Sequence, residues 1–290
     1  MSRIIVTGGF GRSGRWIVDR LATDGHDIMC MDQTTADVDH PAIDARQVDL
    51  TEKGDVFDLF HEFDPDDVVH WGAIPDPLGH AGGHVFENNL MGAYNVLDAA
   101  GRVGADVVAA SSESAYGFAF ADETPLPDYL PIDETHPMRP EDPYGTAKVA
   151  AEEVAEMVAR RDGIGIVSIR PSWIQYPGEY LCRDRDPSEE GDGNIWCYVD
   201  IRDIVDSVVA AIDADIDGHE PLNIAAANNY ADMPTRDVVE NWFGKLPEQC
   251  DIGGEQAALS TAKAQEMLDW EPTYSWREAA DEDVAGATIF

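Results

Sequence analysis

The sequence predicts an α/β protein: a doubly wound parallel sheet followed by a small C-terminal substrate lobe. Two observations predict this class. Apolar runs of about five residues alternate with helical patterns of ten or more through the first 170 residues, the signature of β-α-β units. A glycine-spaced loop also stands between the first run and the first helical pattern, where a doubly wound sheet takes its ligand. The chain has 290 residues with 44% hydrophobic and 9% aromatic content, enough for a sizeable core.

The elements follow in order. Arg3–Thr7 is an apolar run that stops at Gly8-Gly9-Phe10-Gly11, and Trp16, Ile17, Val18 and Leu21 give a helical stripe. Asp27–Met31 reads as a second strand ending at Asp32, with a third near Ala45–Val48. Val56–Phe63 reads as a helix, Asp67–Trp71 as a strand, Val85–Val103 as a helix and Asp106–Ala110 as a strand. Tyr144–Arg161 then reads as a helix and Ile164–Arg170 as a strand. Beyond Pro171 the pattern loosens. Residues 175–200 are rich in Gly, Asp and Pro and read as loop. Ile201–Ile212 is helical and expected to pack back on the core, and 219–290 reads as short helices with turns. This divides the chain into a dinucleotide-binding domain over 1–174 and a lobe over 175–290 that covers the carboxyl ends of the strands.

Charge narrows the partners. Nineteen Lys and Arg against 57 Asp and Glu leave a formal charge of −38, which repels nucleic acid and anionic membranes. The acid is spread along the whole chain, and lysine occurs only at 53, 148, 245 and 263. That pattern predicts a halophilic surface, kept hydrated in concentrated salt. No apolar run approaches the ~18 residues of a membrane span, and no charged leader precedes the first strand, so a cytoplasmic protein is expected. Cys30, Cys182, Cys197 and Cys250 are too far apart for a C-x-x-C motif. His80 and His84, separated by Ala-Gly-Gly, read as loop residues, and no metal site is expected.

Thr7-Gly-Gly-Phe-Gly-Arg-Ser-Gly14 places Gly8, Gly11 and Gly14 between strand and helix, so that backbone N–H groups and the helix N-terminus face a pyrophosphate. Asp32 falls at the end of the next strand, where a carboxylate bonds a ribose 2′-OH. It favours NAD, while Arg12 and Arg15 keep NADP open. Tyr144 and Lys148 lie one helical turn apart, hence on one face. A free phenol is a poor base at neutral pH, and a neighbouring ammonium stabilises its phenolate. Ser111 and Ser112 follow a strand and place hydroxyls at the sheet's carboxyl edge.

These residues together resemble an extended short-chain dehydrogenase/reductase of the NAD-dependent epimerase/dehydratase family, whose fold is the Rossmann sheet. The likeness is carried by the glycine loop, Asp32, Asp49-Leu50, His70-Trp71-Gly72-Ala73, Asn89, Asn95-Val-Leu97, Ser111-Ser112, Tyr144 with Lys148, and Arg170-Pro171. It covers roughly the first 170 residues. Lys263 and Leu268-x-Trp270-x-Pro272 resemble the family's closing segment. The resemblance implies Tyr144 as base, Lys148 as its electrostatic partner and ribose ligand, Ser112 as the substrate-orienting hydroxyl and Asn89 as support for the proton relay. Cofactor contacts are implied for Gly8, Gly11, Arg12, Ser13, Gly14, Asp32, Asp49, Leu50, Trp71, Gly72, Ala73, Tyr144, Lys148 and Pro171. Arg12-Ser13 departs from the aromatic and aliphatic residues usual there.

Within the family, the reach from Val69 to Ala100 and the region 196–232 resemble the uronate/aldose dehydrogenase branch. This implies oxidation of a free sugar at its anomeric carbon. Few cations remain after Arg170 to clamp a nucleoside diphosphate, and Glu113 is followed by Ser114 where dehydratases carry Asp-Glu. Pro75, Ser112, Glu113, Tyr144, Arg183 and Trp196 are the candidate substrate contacts, with Arg183 one residue out of register for a uronate carboxylate. A nucleotide-sugar 4-epimerase with tightly held NAD is the alternative, and a non-catalytic NAD sensor is disfavoured by the intact Tyr144/Lys148 pair. Ala147, Ala151, Ala155 and Ala159 form a small-residue stripe, which fits either packing on the sheet or the family's homodimer helix.

Overall fold

The computed structural model describes residues 1–34, 38–189 and 191–288. The first half alternates strands and helices: β1 (Arg3–Thr7), α1 (Gly14–Thr23), β2 (Asp27–Asp32), β3 (Ile43–Gln47), α2 (Lys53–Phe63), β4 (Asp67–His70), α3 (Gly82–Val103) and β5 (Asp106–Ala110). There follow β6 (Tyr129–Leu130), α4 (Pro143–Asp162), β7 (Ile166–Pro171), β8 (Ile174–Gln175), β9 (Val199–Asp200), α5 (Ile201–Asp213) and β10 (His219–Ile224). The chain ends with α6 (Thr235–Phe243), β11 (Gln249–Cys250), α7 (Ala262–Leu268) and α8 (Trp276–Ala279).

Seven strands form one parallel sheet in the order β10-β7-β5-β4-β1-β2-β3. Its central strands read as near-continuous apolar runs because helices cover both faces. On one face Ile4, Val6, Val69 and Val167 pack with Ile17 and Leu21 of α1 and with Ile204 and Val208 of α5. On the other, Ile5, Val68 and Val107 pack with Phe60 of α2, Val96 of α3 and Val158 of α4. A third apolar cluster, built from residues 116–132 and 180–280, holds the C-terminal part together around Trp196, Tyr198 and Val239.

Three features differ from the sequence reading. Residues 219–224, read among helices and turns, are the seventh strand. Pro221 and Glu220 obscure it, and both are tolerated because β10 is an edge strand bonded only to β7. The segment 175–200 carries β8 and β9, which pair with each other, and β6 pairs with β11. Gly82 opens α3, so His84 lies in its first turn rather than in a loop. No described helix is long and apolar enough to cross a membrane, and all four cysteines are free.

Candidate active site

The strand order reverses between β1 and β4, and a doubly wound sheet binds its ligand at that switch point. There the Thr7 hydroxyl and His70 Nδ1 lie 2.8 Å apart, joining the carboxyl ends of the two strands. The turn after β1 begins at Gly8 with φ of +68°, a left-handed backbone that favours glycine. A side chain at Gly8 would also strike Gly72 Cα at 2.5 Å, and one at Gly14 would strike the Gly8 carbonyl. The loop can therefore fold flat against the strand ends and lead into α1.

A cavity of about 650 Å³ runs from this loop along the sheet's carboxyl edge. Gly8, Gly11, Arg12, Ser13 and Gly14 form one end. Asp32, Leu50, Trp71, Gly72, Ala73 and Pro75 form its sides, and Tyr144, Lys148 and Pro171 the other end. Glycines at a helix N-terminus, a ribose-type carboxylate and a Tyr/Lys pair along one cleft fit a dinucleotide. Asp32 accepts from the Phe10 and Thr34 backbone N–H groups at 3.2 and 3.1 Å, which fixes its carboxylate beside the loop. Arg12 is drawn to Glu179 at 2.5 Å and lies 3.8 Å over the Tyr176 ring. The Ser13 and Tyr176 hydroxyls meet at 2.7 Å.

Asp49 is not among the residues lining this cavity. Its carboxylate closes a turn on the Thr51 N–H and hydroxyl, at 2.9 and 2.8 Å, and only Leu50 reaches the wall. Asn89 acts from behind: it brackets Ile74, accepting from its N–H at 2.8 Å and donating to its carbonyl at 2.9 Å. It also borders, with His70, Lys148 and Ser168, a cavity of about 10 Å³ beneath the lysine.

Tyr144 and Lys148 owe their placement to the start of α4. Asp142 caps the helix by accepting from Tyr144 N and Gly145 N, both at 2.8 Å, and Pro143 supplies the first helical residue. Asp142-Pro143 before the tyrosine is the sequence pattern such a cap leaves, a signal the sequence reading above did not use. Lys148 is buried and donates to the Ala110 carbonyl at 2.6 Å, at the end of β5. Burial brings its ammonium down to about 8 and pushes the Tyr144 phenol up to about 12, while the Ser112 hydroxyl bonded to that phenol opposes the rise.

A second cavity of about 480 Å³ adjoins the first, sharing Pro75, Tyr144, Pro171, Trp173 and Ile174. Ser112 and Glu113 line it, with Arg185, Asn194 and Tyr230 opposite. Two expected contacts lie elsewhere. Arg183 is paired with Asp281 at 2.5 Å on the surface, and the arginine on the wall is Arg185, over the Trp173 ring at 5.1 Å. Trp196 is fully buried in the third cluster, edge-on to Trp242, and lines neither cavity. The alanine stripe is also turned inward: Ala155 and Ala159 pack with Val96 and Ala100 of α3.

Fold and site define a parallel α/β sheet with a dinucleotide-type cleft along its carboxyl edge and a tyrosine/lysine pair at one end of that cleft. The chain belongs to the NAD dependent epimerase/dehydratase family, whose model matches residues 4–225. NAD is its cofactor. It is 26% identical to the UDP-glucose 4-epimerase of Streptococcus mutans, over 93% of this chain and 92% of that protein. It is 33% identical to the L-arabinose 1-dehydrogenase (NAD(P)(+)) of Haloferax volcanii, over 60% of this chain and 68% of that one. Among solved structures, the UDP-glucose 4-epimerase of Thermotoga maritima with UDP-glucose superposes with a TM-score of 0.73 at 23% identity, covering 96% of each chain. The glucuronic acid dehydrogenase of Chromohalobacter salexigens superposes at 0.71 and 22%, covering 98% of this chain and 91% of that one.

Proposed function

We propose that the protein oxidises a free sugar, aldose or uronate, at its anomeric carbon to the lactone. The observation that carries this reading is the charge of the second cavity. Among the described residues lining it, Arg185 is the single cation. A nucleoside diphosphate calls for a cationic clamp, whereas one guanidinium suits a neutral sugar or a lone carboxylate. The 33% identity to an arabinose 1-dehydrogenase supports the same reading.

In this proposal Tyr144, as phenolate, takes the proton of the anomeric hydroxyl while Ser112 holds the same oxygen. NAD, when bound, supplies the ring that accepts the hydride. Lys148 stabilises the phenolate and passes the proton on, with Asn89 holding the loop that flanks it. Asp32, with Arg12 engaged by Glu179, favours NAD over NADP.

A second reading, a nucleotide-sugar 4-epimerase, is favoured by the reach of the epimerase likeness over nearly the whole chain. Absorbance at 340 nm in molar KCl, with NAD or NADP and panels of aldoses, uronates and UDP-sugars, separates the two. A rise with one free sugar is expected. No rise with any free sugar, from protein that carries NAD through purification, overturns the dehydrogenase in favour of the epimerase.

A further inference from the structure

Glu113 is the one carboxyl among the described residues lining the second cavity. It follows Ser112 in the turn after β5, which the Ser112 hydroxyl caps by accepting from Ser114 N at 3.1 Å. Its Oε2 accepts from the Ser172 hydroxyl at 2.9 Å, and the Trp173 backbone N–H adds a second bond. Both partners are neutral. Glu113 is partly buried and borders the cavity.

The ionisable groups that face it are neutral at neutral pH and supply no positive charge to balance an ionised carboxylate. They are Tyr144 from α4, Cys197 just before β9 and Tyr230 after β10. Arg185 lines the same cavity but is stacked on Trp173. An ionised carboxylate buried with neutral partners is costly, and such a group takes up a proton instead. Burial accordingly pushes the Glu113 carboxyl well above the ordinary carboxylate range. A charge there would also push the Tyr144 phenol further up, against its use as a base.

We infer that Glu113 is a specificity-determining residue: with Ser172 occupying Oε2, its other oxygen carries a proton and donates it in a hydrogen bond to a hydroxyl or ring oxygen of the sugar. This rests on the reading that a sugar fills the second cavity, whichever sugar it is. No proton is transferred, and Glu113 begins and ends the cycle as an uncharged acid. Sugar binding then weakens as alkali removes that proton.

Steady-state kinetics across pH on the whole enzyme test this with two variants. Glu113→Gln keeps the shape and an uncharged donor, so at neutral pH its sugar KM stays within about threefold of the wild type. It also loses the alkaline rise in KM that the wild type shows. Glu113→Ala raises KM about tenfold or more while NADH binding, the check on folding, is unchanged. A Gln variant as impaired as the Ala variant would mean that an ionised Glu113 accepts from the sugar, and would overturn the inference.

Infrared difference spectra of wild type against Glu113→Gln supply a readout that needs no turnover. A protonated-carboxyl stretch at neutral pH, shifted by the sugar, is expected; a carboxylate band overturns the inference. If no free sugar is oxidised but a UDP-sugar shifts that stretch, the dehydrogenase reading falls and the role of Glu113 stands.

Discussion

The ammonium nitrogen of Lys148 lies 5.5 Å from the centroid of the Tyr144 ring; Tyr144 lines both cavities and Lys148 the first. Their protonation is set by burial in opposite directions: the phenol is pushed up to about 12 and the ammonium brought down to about 8. In the protein alone Tyr144 is therefore a phenol at neutral pH, and added positive charge is required to make it a base.

Tyr144→Phe is expected to reduce turnover to about a hundredth or less, the usual range for loss of a general base, with NADH binding retained. Wild-type kcat/KM should climb from neutral pH toward the alkaline side, and Lys148→Met should displace that rise to higher pH. Stability offers a second check. The folded protein holds the Lys148 proton less tightly than the unfolded chain, so the unfolded chain binds more protons between about 8 and the ordinary 10.5. Stability from this group rises with pH through that window, and chemical denaturation of Lys148→Met should lack the increment. A Phe variant keeping a tenth of wild-type turnover would remove Tyr144 from the role of base.

Arg170 and Glu152 make a buried ion pair under the site, with Nη2–Oε2 at 2.5 Å and Nε–Oε1 at 2.9 Å, and the Ser111 hydroxyl donates to the same carboxylate at 2.5 Å. Arg170→Met strands the carboxylate, and a loss of about 3–5 kcal/mol is expected in urea denaturation at fixed KCl. Arg170→Met with Glu152→Leu should recover most of it, because the buried charge is gone. A single-variant loss below about 1 kcal/mol would show that the pair is not stabilising the sheet's carboxyl edge.

Two copies of the chain are proposed to meet along α3, where Phe86 and Met91 stay exposed while Ala155 and Ala159 of α4 are used internally. Light scattering in molar KCl should give a dimer mass for the wild type and a monomer mass for Met91→Glu. A wild-type monomer at tens of micromolar would refute the interface.

Much of the site was legible because it is local. The glycine loop, Asp32, Ser112, Tyr144 and Lys148 each sit at a strand or helix end that the apolar pattern marks, and all five residues or segments line the cavities or touch one that does. The rest depends on contacts across long stretches of chain. Whether position 183 or 185 reaches the wall is decided by the partner of each, Asp281 on the surface for one and the Trp173 face for the other. Trp196 looks like a pocket aromatic until Trp242, forty-six residues on, encloses it. Asp49 is the exception: its carboxylate is captured two residues on by Thr51, a local turn that an Asp-x-Thr sequence permits. The strand at 219–224 was hidden by a proline that an edge tolerates and a central strand does not.

The contact of Arg12 and Ser13 with Glu179 and Tyr176 spans more than 160 residues of sequence. It ties the phosphate-facing loop to the segment that continues from Trp173 toward Arg185, and those two residues wall the sugar side. The two cavities therefore share a structural tie as well as the lining residues between them. By thermodynamic linkage, whatever factor the cofactor applies to sugar affinity through that tie, the sugar applies to cofactor affinity in return. The Arg12–Glu179 half of that tie is exposed and screened by salt, whereas the Ser13–Tyr176 hydroxyl contact is partly buried and is screened much less.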